Sequence, residues 1–102
     1  MELLFTVVDT FSIEGRGIVL IPGISYTTHT KFTISKGSPL RLRKPDSSTL
    51  DTEIRDLERL SYLTFKPIEE RETPILLPKE IHKEDIPIGT EVYLITESNI
   101  RS

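Results

Sequence analysis

Two glycines, Gly15 and Gly17, bracket Arg16 in the stretch Phe-Ser-Ile-Glu-Gly-Arg-Gly-Ile-Val-Leu, residues 11–20. Glycines at this spacing beside a cation could cradle a phosphate or turn a hairpin. A phosphate loop also needs a lysine and a hydroxyl residue at fixed spacing, ahead of a helix. No Gly-Lys-Ser or Gly-Lys-Thr occurs in the chain, and Gly17 is followed by Ile-Val-Leu-Ile, which is strand-like. The residues therefore predict a tight turn whose glycines supply positive φ angles. Arg16 at its tip is then solvated, folded back onto a carboxylate such as Glu14, or a contact residue.

The other reactive side chains form no catalytic constellation. His29 and His82 each lack a second histidine at ligand spacing, and His82 precedes the charged turn Lys83-Glu84-Asp85. Both read as solvated histidines, and no metal site is expected. No Gly-x-Ser-x-Gly elbow is present. Glu69, Glu70 and Glu72 flank Arg71, a pattern of a solvated loop rather than of a paired acid and base. The chain is thus expected to be non-enzymatic, with no catalytic residue and no cofactor.

A second cationic feature is Arg41, Arg43 and Lys44 in Pro-Leu-Arg-Leu-Arg-Lys-Pro. On a strand, Leu40 and Leu42 point inward while Arg41 and Arg43 face outward together. Such a row protects a sheet edge, or it contacts RNA or an acidic protein. Base stacking would need aromatic platforms; Tyr26, Phe32, Tyr62, Phe65 and Tyr93 are the available rings.

The elements that must position these residues are strands. Alanine is absent, while the chain holds thirteen isoleucines, twelve threonines and four valines. Branched side chains suit a pleated sheet. Seven prolines and five glycines punctuate the chain. Residues 2–12 read as one long strand, with Leu4, Thr6, Val8 and Thr10 on one face and Leu3, Phe5, Val7, Asp9 and Phe11 on the other. Residues 17–25 form the second strand, bent at Pro22-Gly23 because proline cannot donate a ladder bond. Residues 26–31 read as a polar connection and 31–35 as a short strand, followed by strands over 39–45, 74–78 and 90–96. Residues 69–73 read as a charged loop and 81–86 as a single helical turn. Leu50, Ile54, Leu57 and Leu60 have helical spacing, whereas the neighbouring strands argue for a strand over residues 50–63.

With 102 residues the chain is one domain, expected over 1–97 with a loose tail at 98–102. The formal net charge of −3 removes the simplest argument for nucleic-acid binding. No cysteine is present, so neither disulfides nor thiolate metal sites arise. The opening Met-Glu-Leu-Leu-Phe-Thr-Val-Val-Asp reads as neither a signal nor a membrane span, so cytoplasmic residence is the default expectation.

Three segments add up to a resemblance. The run Phe-Thr-Val-Val-Asp-Thr-Phe-Ser-Ile-Glu-Gly-Arg-Gly-Ile-Val-Leu looks like the opening of the second domain of translation elongation factor Tu and its relatives. Lys-Gly-Ser-Pro-Leu-Arg-Leu resembles a turn and strand of that family. Residues 75–94 resemble the family's closing segment, where an apolar run leads through an acidic turn and Gly89 into the last strand. The resemblance implies an all-β fold: a closed, antiparallel, Greek-key barrel of roughly six strands. It also makes residues 50–60 a strand and the Gly15-Arg16-Gly17 element a hairpin that binds no phosphate. The chain departs from the family after Gly17, where Ile18, Ile21 and Pro22 replace two threonines and a glycine. It has no GTPase domain, so GTP hydrolysis is not implied. The implied function is a stand-alone binding module that docks to RNA, the ribosome or another translation component, with Arg16, Arg41, Arg43 and Lys44 as candidate contacts. The alternative is a protein-interaction or regulatory subunit that uses the barrel as a scaffold, including association with a second copy.

Overall fold

The structure, a computed structural model, describes residues 1–58, 67 and 71–96. It contains β1 (Glu2–Thr6), β2 (Asp9–Ile13), β3 (Gly17–Ser25), α1 (Tyr26–Lys31), β4 (Pro39–Arg43), β5 (Thr49–Glu53), β6 (Asp56–Leu57), β7 (Glu72–Leu76) and β8 (Glu91–Leu94), with a 3-10 turn at Lys83–Asp85. The strands form two antiparallel sheets, ordered β1-β8-β4-β5 and β2-β3-β7-β6. The all-β expectation holds. The expected single closed ladder does not: the strands pair as two sheets that are not closed into a barrel.

The reason lies in two corners. The expected long first strand breaks after Thr6. The Val7 N–H donates to the Thr90 carbonyl beside the first sheet, and the Val8 N–H donates to the Ile21 carbonyl of the second, each at 2.8 Å. The same device recurs between β5 and β6, where Ile54 donates to Ser38 at 3.0 Å and Arg55 to Leu76 at 2.8 Å. At each corner, adjacent residues give their hydrogen bonds to different sheets. Strands that change sheet through bends are how crossed sheets make their corners.

The core lies between the sheets. Leu40, Leu42, Val92 and Leu94 face it from the first sheet, and Ile18, Leu20, Ile24, Ile75 and Leu77 from the second side. Val7 and Ile54 plug the two corners and are 1% and 0% exposed. β1 is irregular between Leu3 and Phe5, so Leu4 and Phe5 are both buried where strict alternation would expose one. The buried set of the opening segment is therefore Leu4, Phe5, Val7 and Thr10, which corrects the simple two-face division. Val19 and Leu76 pair across β3 and β7 on the opposite face of the second sheet, and both are also buried. That two-sided burial accounts for the unbroken apolar runs Ile-Val-Leu-Ile and Ile-Leu-Leu.

The corner at Ile54 also explains the helical spacing around it. Leu50 and Leu57 pack against the core from β5 and β6, with buried Ile54 between them. A bend resets the alternation, so two strand phases joined at a corner imitate a helix. The strand reading holds through Leu57; Leu60 and Leu63 lie outside the described residues. The expected strand over 31–35 does not form, although Ile34 is buried. Instead the preceding connection contains α1, whose N-cap is Ser25; its Oγ accepts from the Thr28 N–H at 3.2 Å. A serine in this position satisfies one of the unpaired N–H groups of the first turn. β7 starts earlier than expected and takes in Glu72 and Thr73 from the predicted loop, while Glu69 and Glu70 lie outside the described residues, as does the 98–102 tail. The predicted turn near Ile81 is present, shortened to Lys83–Asp85. No helix among the described residues is long and apolar enough to cross a membrane.

Candidate interaction surfaces

The Gly15-Arg16-Gly17 element is a hairpin between β2 and β3. The Arg16 N–H donates to the Ile13 carbonyl at 2.9 Å, and Gly15 and Gly17 have φ of 81° and 138°. A side chain on Gly17 would collide with the Leu77 carbonyl. Arg16 does not fold onto Glu14. Its Nη2 lies 2.7 Å from Glu58 Oε2, its Nη1 donates to Glu58 Oε1 at 3.3 Å, and Asp56 Oδ2 stands 3.7 Å away. The guanidinium thus clasps the hairpin tip to the far edge of the same sheet.

Arg41 and Arg43 face outward from β4, as their alternation requires. Arg41 sits opposite Asp51 on β5 and forms a two-pronged pair with it, Nε to Oδ1 at 2.7 Å and Nη2 to Oδ2 at 2.8 Å. The hydrogen bond from Arg41 holds the Asp51 carboxyl below its ordinary value. Arg43 is the neighbour of Glu91 on β8. Glu91 Oε1 accepts the Tyr93 hydroxyl at 2.9 Å; that bond pushes the Tyr93 phenol up, and Arg43 draws it partly back. Arg43 and Lys44 border a shallow groove of about 220 Å³ beside Gly89 and Glu91. Arg41, Arg43 and Lys44 therefore belong to the first sheet and its adjoining turn, and Arg16 to the second sheet's hairpin, so the four cations do not form one patch.

The Arg41–Asp51 pair is solvent-exposed, which limits its worth to about 0.2–1 kcal/mol. Because the folded carboxyl titrates below its unfolded value, this contribution is present above the unfolded pKa and is lost as pH falls through the folded one. Asp51→Asn is expected to lower the urea midpoint slightly at neutral pH, and the gap to the unmodified protein should close as acid takes the carboxyl below the ordinary aspartate range. A gap that widens in acid would contradict the pairing.

Sequence reasoning missed two surfaces. At the first corner, Val8, Phe11 and Ile88 are 62%, 54% and 67% exposed. Ile88 is brought there by the next residue, whose N–H (Gly89) donates to the Val7 carbonyl at 2.9 Å. In sequence these residues look like ordinary strand and loop apolars; the corner brings Ile88 beside Val8, while Phe11 is exposed three residues further along β2. The second surface is a groove of about 500 Å³ between the hairpin and the loop that carries Lys79, Ile81 and Lys83. Half-buried Ile13 and Ile81 lie within it, with Arg16, Lys79, His82 and Lys83 also lining it and Glu84 as its acidic member. Neither Lys79 nor Lys83 joins an ion pair among the described residues.

The edges of the second sheet carry a further pattern. On β2 the Thr10 N–H donates to Asp9 Oδ1, and on β6 the Leu57 N–H donates to Asp56 Oδ1, both at 2.8 Å. An aspartate thus covers a backbone donor on each edge strand, which blunts strand addition there. His29 Nε2 lies 3.2 Å from the Ile34 carbonyl oxygen, tying α1 to the segment after it. Among the described residues, no group of three or more histidine, aspartate or glutamate side chains could hold a metal ion.

No family model, curated protein or solved structure matches this chain.

Proposed function

We propose that this chain is a non-enzymatic binding module that docks onto a protein partner through its first corner. The observation that carries the reading is the exposure of Val8 and Ile88 on segments joined by the Gly89-to-Val7 hydrogen bond, with Phe11 exposed further along β2. On a chain that is 28% charged, exposed apolar side chains on adjoining segments suit an interaction surface. Charge supports a protein partner: the net charge is −3, and Arg16 and Arg41 are each engaged by a carboxylate of their own chain. Both features weaken attraction to a phosphate backbone. RNA or a ribosomal component is the second reading, favoured by Arg43 and Lys44 beside their groove, with Arg16 and Arg41 joining where a phosphate displaces their carboxylates. Pairing of two copies through the second sheet's edges is opposed by Asp9 and Asp56.

The fold reading extends to the Greek-key strand order of translation-factor second domains, without closure of the barrel. Counting each cornered pair, β1–β2 and β5–β6, as one bent strand gives six strands. The Glu14–Gly17 turn then joins the first two. In this reading the module works in the cytoplasm and needs no cofactor.

The test is retention on a tagged full-length chain, from cell extract split into RNase-treated and untreated halves. A protein retained in both halves, and lost with Val8→Ser plus Phe11→Ser, is the expected result. The double variant replaces exposed residues and should keep its fold, which a thermal melt checks. RNA recovered only from the untreated half, with retention unaffected by the double variant, would replace the protein reading with the RNA one.

A further inference from the structure

We propose that the strip running along β2 and the Lys79–Gly89 loop binds an acidic peptide segment anchored by an apolar side chain. The inference rests on the protein-docking reading and specifies the partner's chemistry.

The strip has two unlike ends. Phe11 and Ile13 are alternate residues of β2 and share its outer face. Phe11 is exposed on β2 between the corner, where Val8 and Ile88 are exposed, and Ile13, which lines the groove by the hairpin. The loop opposite makes the same transition, from Ile88 at the corner to Lys83 and Lys79 at the groove. One end is thus apolar, and the other has Lys79 and Lys83, with Glu84 among them, around half-buried Ile13 and Ile81.

Three observations favour a peptide over RNA. No phenylalanine, tyrosine or tryptophan lines the groove, and Phe11 at the strip's other end is a single ring, short of the series of platforms on which successive bases stack. Arg16, the side chain best shaped to fork onto a phosphate, is held by Glu58. The remaining cations are lysines, compact charges that suit carboxylates arriving on flexible side chains. Asp9 matters as well. It covers the Thr10 N–H, so the peptide is held there by its side chains rather than by adding a strand. The two lysines outnumber Glu84 in the groove and set the direction: apolar residue toward Phe11, acidic residues toward Lys79 and Lys83.

The experiment pans the full chain against a random dodecapeptide display library and measures the affinity of the enriched peptides by fluorescence anisotropy. Labelled oligouridylate serves as the RNA probe. Enriched peptides should carry an apolar residue flanked on one side by aspartate or glutamate. Lys79→Glu with Lys83→Glu should weaken them roughly tenfold or more and abolish the acidic preference while the apolar preference persists. The neutral pair Lys79→Gln and Lys83→Gln, with an intermediate loss, guards against a folding defect. Enrichment without acidic bias, a bias that survives the charge reversal, or no enrichment overturns the inference. So does oligouridylate binding that the same reversal removes. Apolar-anchored peptides without acidic bias would leave the docking reading standing. Acidic peptides indifferent to Val8→Ser and Phe11→Ser would instead remove the corner from it.

Discussion

Gly23→Ala is expected to leave little folded protein at room temperature. Gly23 lies in β3, where the pairing with β7 slips between Leu20 and Ile24, and its φ is +108°. A Cβ at this position would overlap the Thr73 carbonyl group and the Pro74 nitrogen. These are backbone atoms of β7 and cannot rotate away as a side-chain tip could. Strain at such a φ costs about 1–3 kcal/mol for a residue other than glycine, and displacing the partner strand adds about 1–3 kcal/mol more. The sum approaches the roughly 5–15 kcal/mol that holds a typical domain together. Far-UV circular dichroism and a thermal melt are the measurement. Gly15→Ala is the control, since its φ of +81° is also unfavourable but nothing stands within 4 Å of the added carbon. A Gly23→Ala protein that melts with Gly15→Ala would show that β3 and β7 are not so closely apposed.

Leu42→Ala should cost about 2–5 kcal/mol. Leu42 is 0% exposed and sits in β4, flanked by Leu50 on β5 and Val92 on β8. Removing its side chain leaves a void in the middle of the first sheet's inner face, where strands on both sides hold the walls apart. Val92→Ala in the same layer should cost less, about 1–3 kcal/mol, because fewer atoms are removed. Urea unfolding would show a lowered midpoint with an unchanged slope in both. A loss below about 1 kcal/mol at Leu42 would contradict the core described here.

Much of this fold is legible in the residues, and the parts that are not have a common cause. Leu40–Arg43 alternate because β4 is straight and buried on one face, so the sequence displays its register openly. Gly15 and Gly17 announce their hairpin for an equally local reason: the turn needs the conformations that glycine permits. The corners are different. A bend at Val7-Val8 or Ile54-Arg55 needs no glycine or proline; it arises because neighbouring N–H groups find acceptors on different sheets. Nothing local records that choice, so the opening segment reads as one strand, and residues 50–57 show helical spacing although their neighbours argue for a strand. The candidate surfaces follow the same division. The outward direction of Arg41 and Arg43 is visible in the alternation. The pairing of Arg41 with Asp51, the placing of Arg43 beside Tyr93, and the clasp of Arg16 by Glu58 depend on strand pairings that only the folded chain sets. Lys79 and Lys83 look like members of an ordinary charged turn until the hairpin is placed beside them.

The corners also determine what kind of object the protein is. Each of the two bent segments is a boundary strand of both sheets, and a single buried side chain, Val7 or Ile54, sits at each bend. Neither sheet therefore owns a complete set of strands that could be cut out and still cohere. Partial opening that frees one sheet must pull its share of both bent segments away from the other. The chain is thus an indivisible cooperative unit despite its two-layer appearance. The corner proposed as its docking surface is not a detachable loop but part of the joint that makes the two layers rise and fall together.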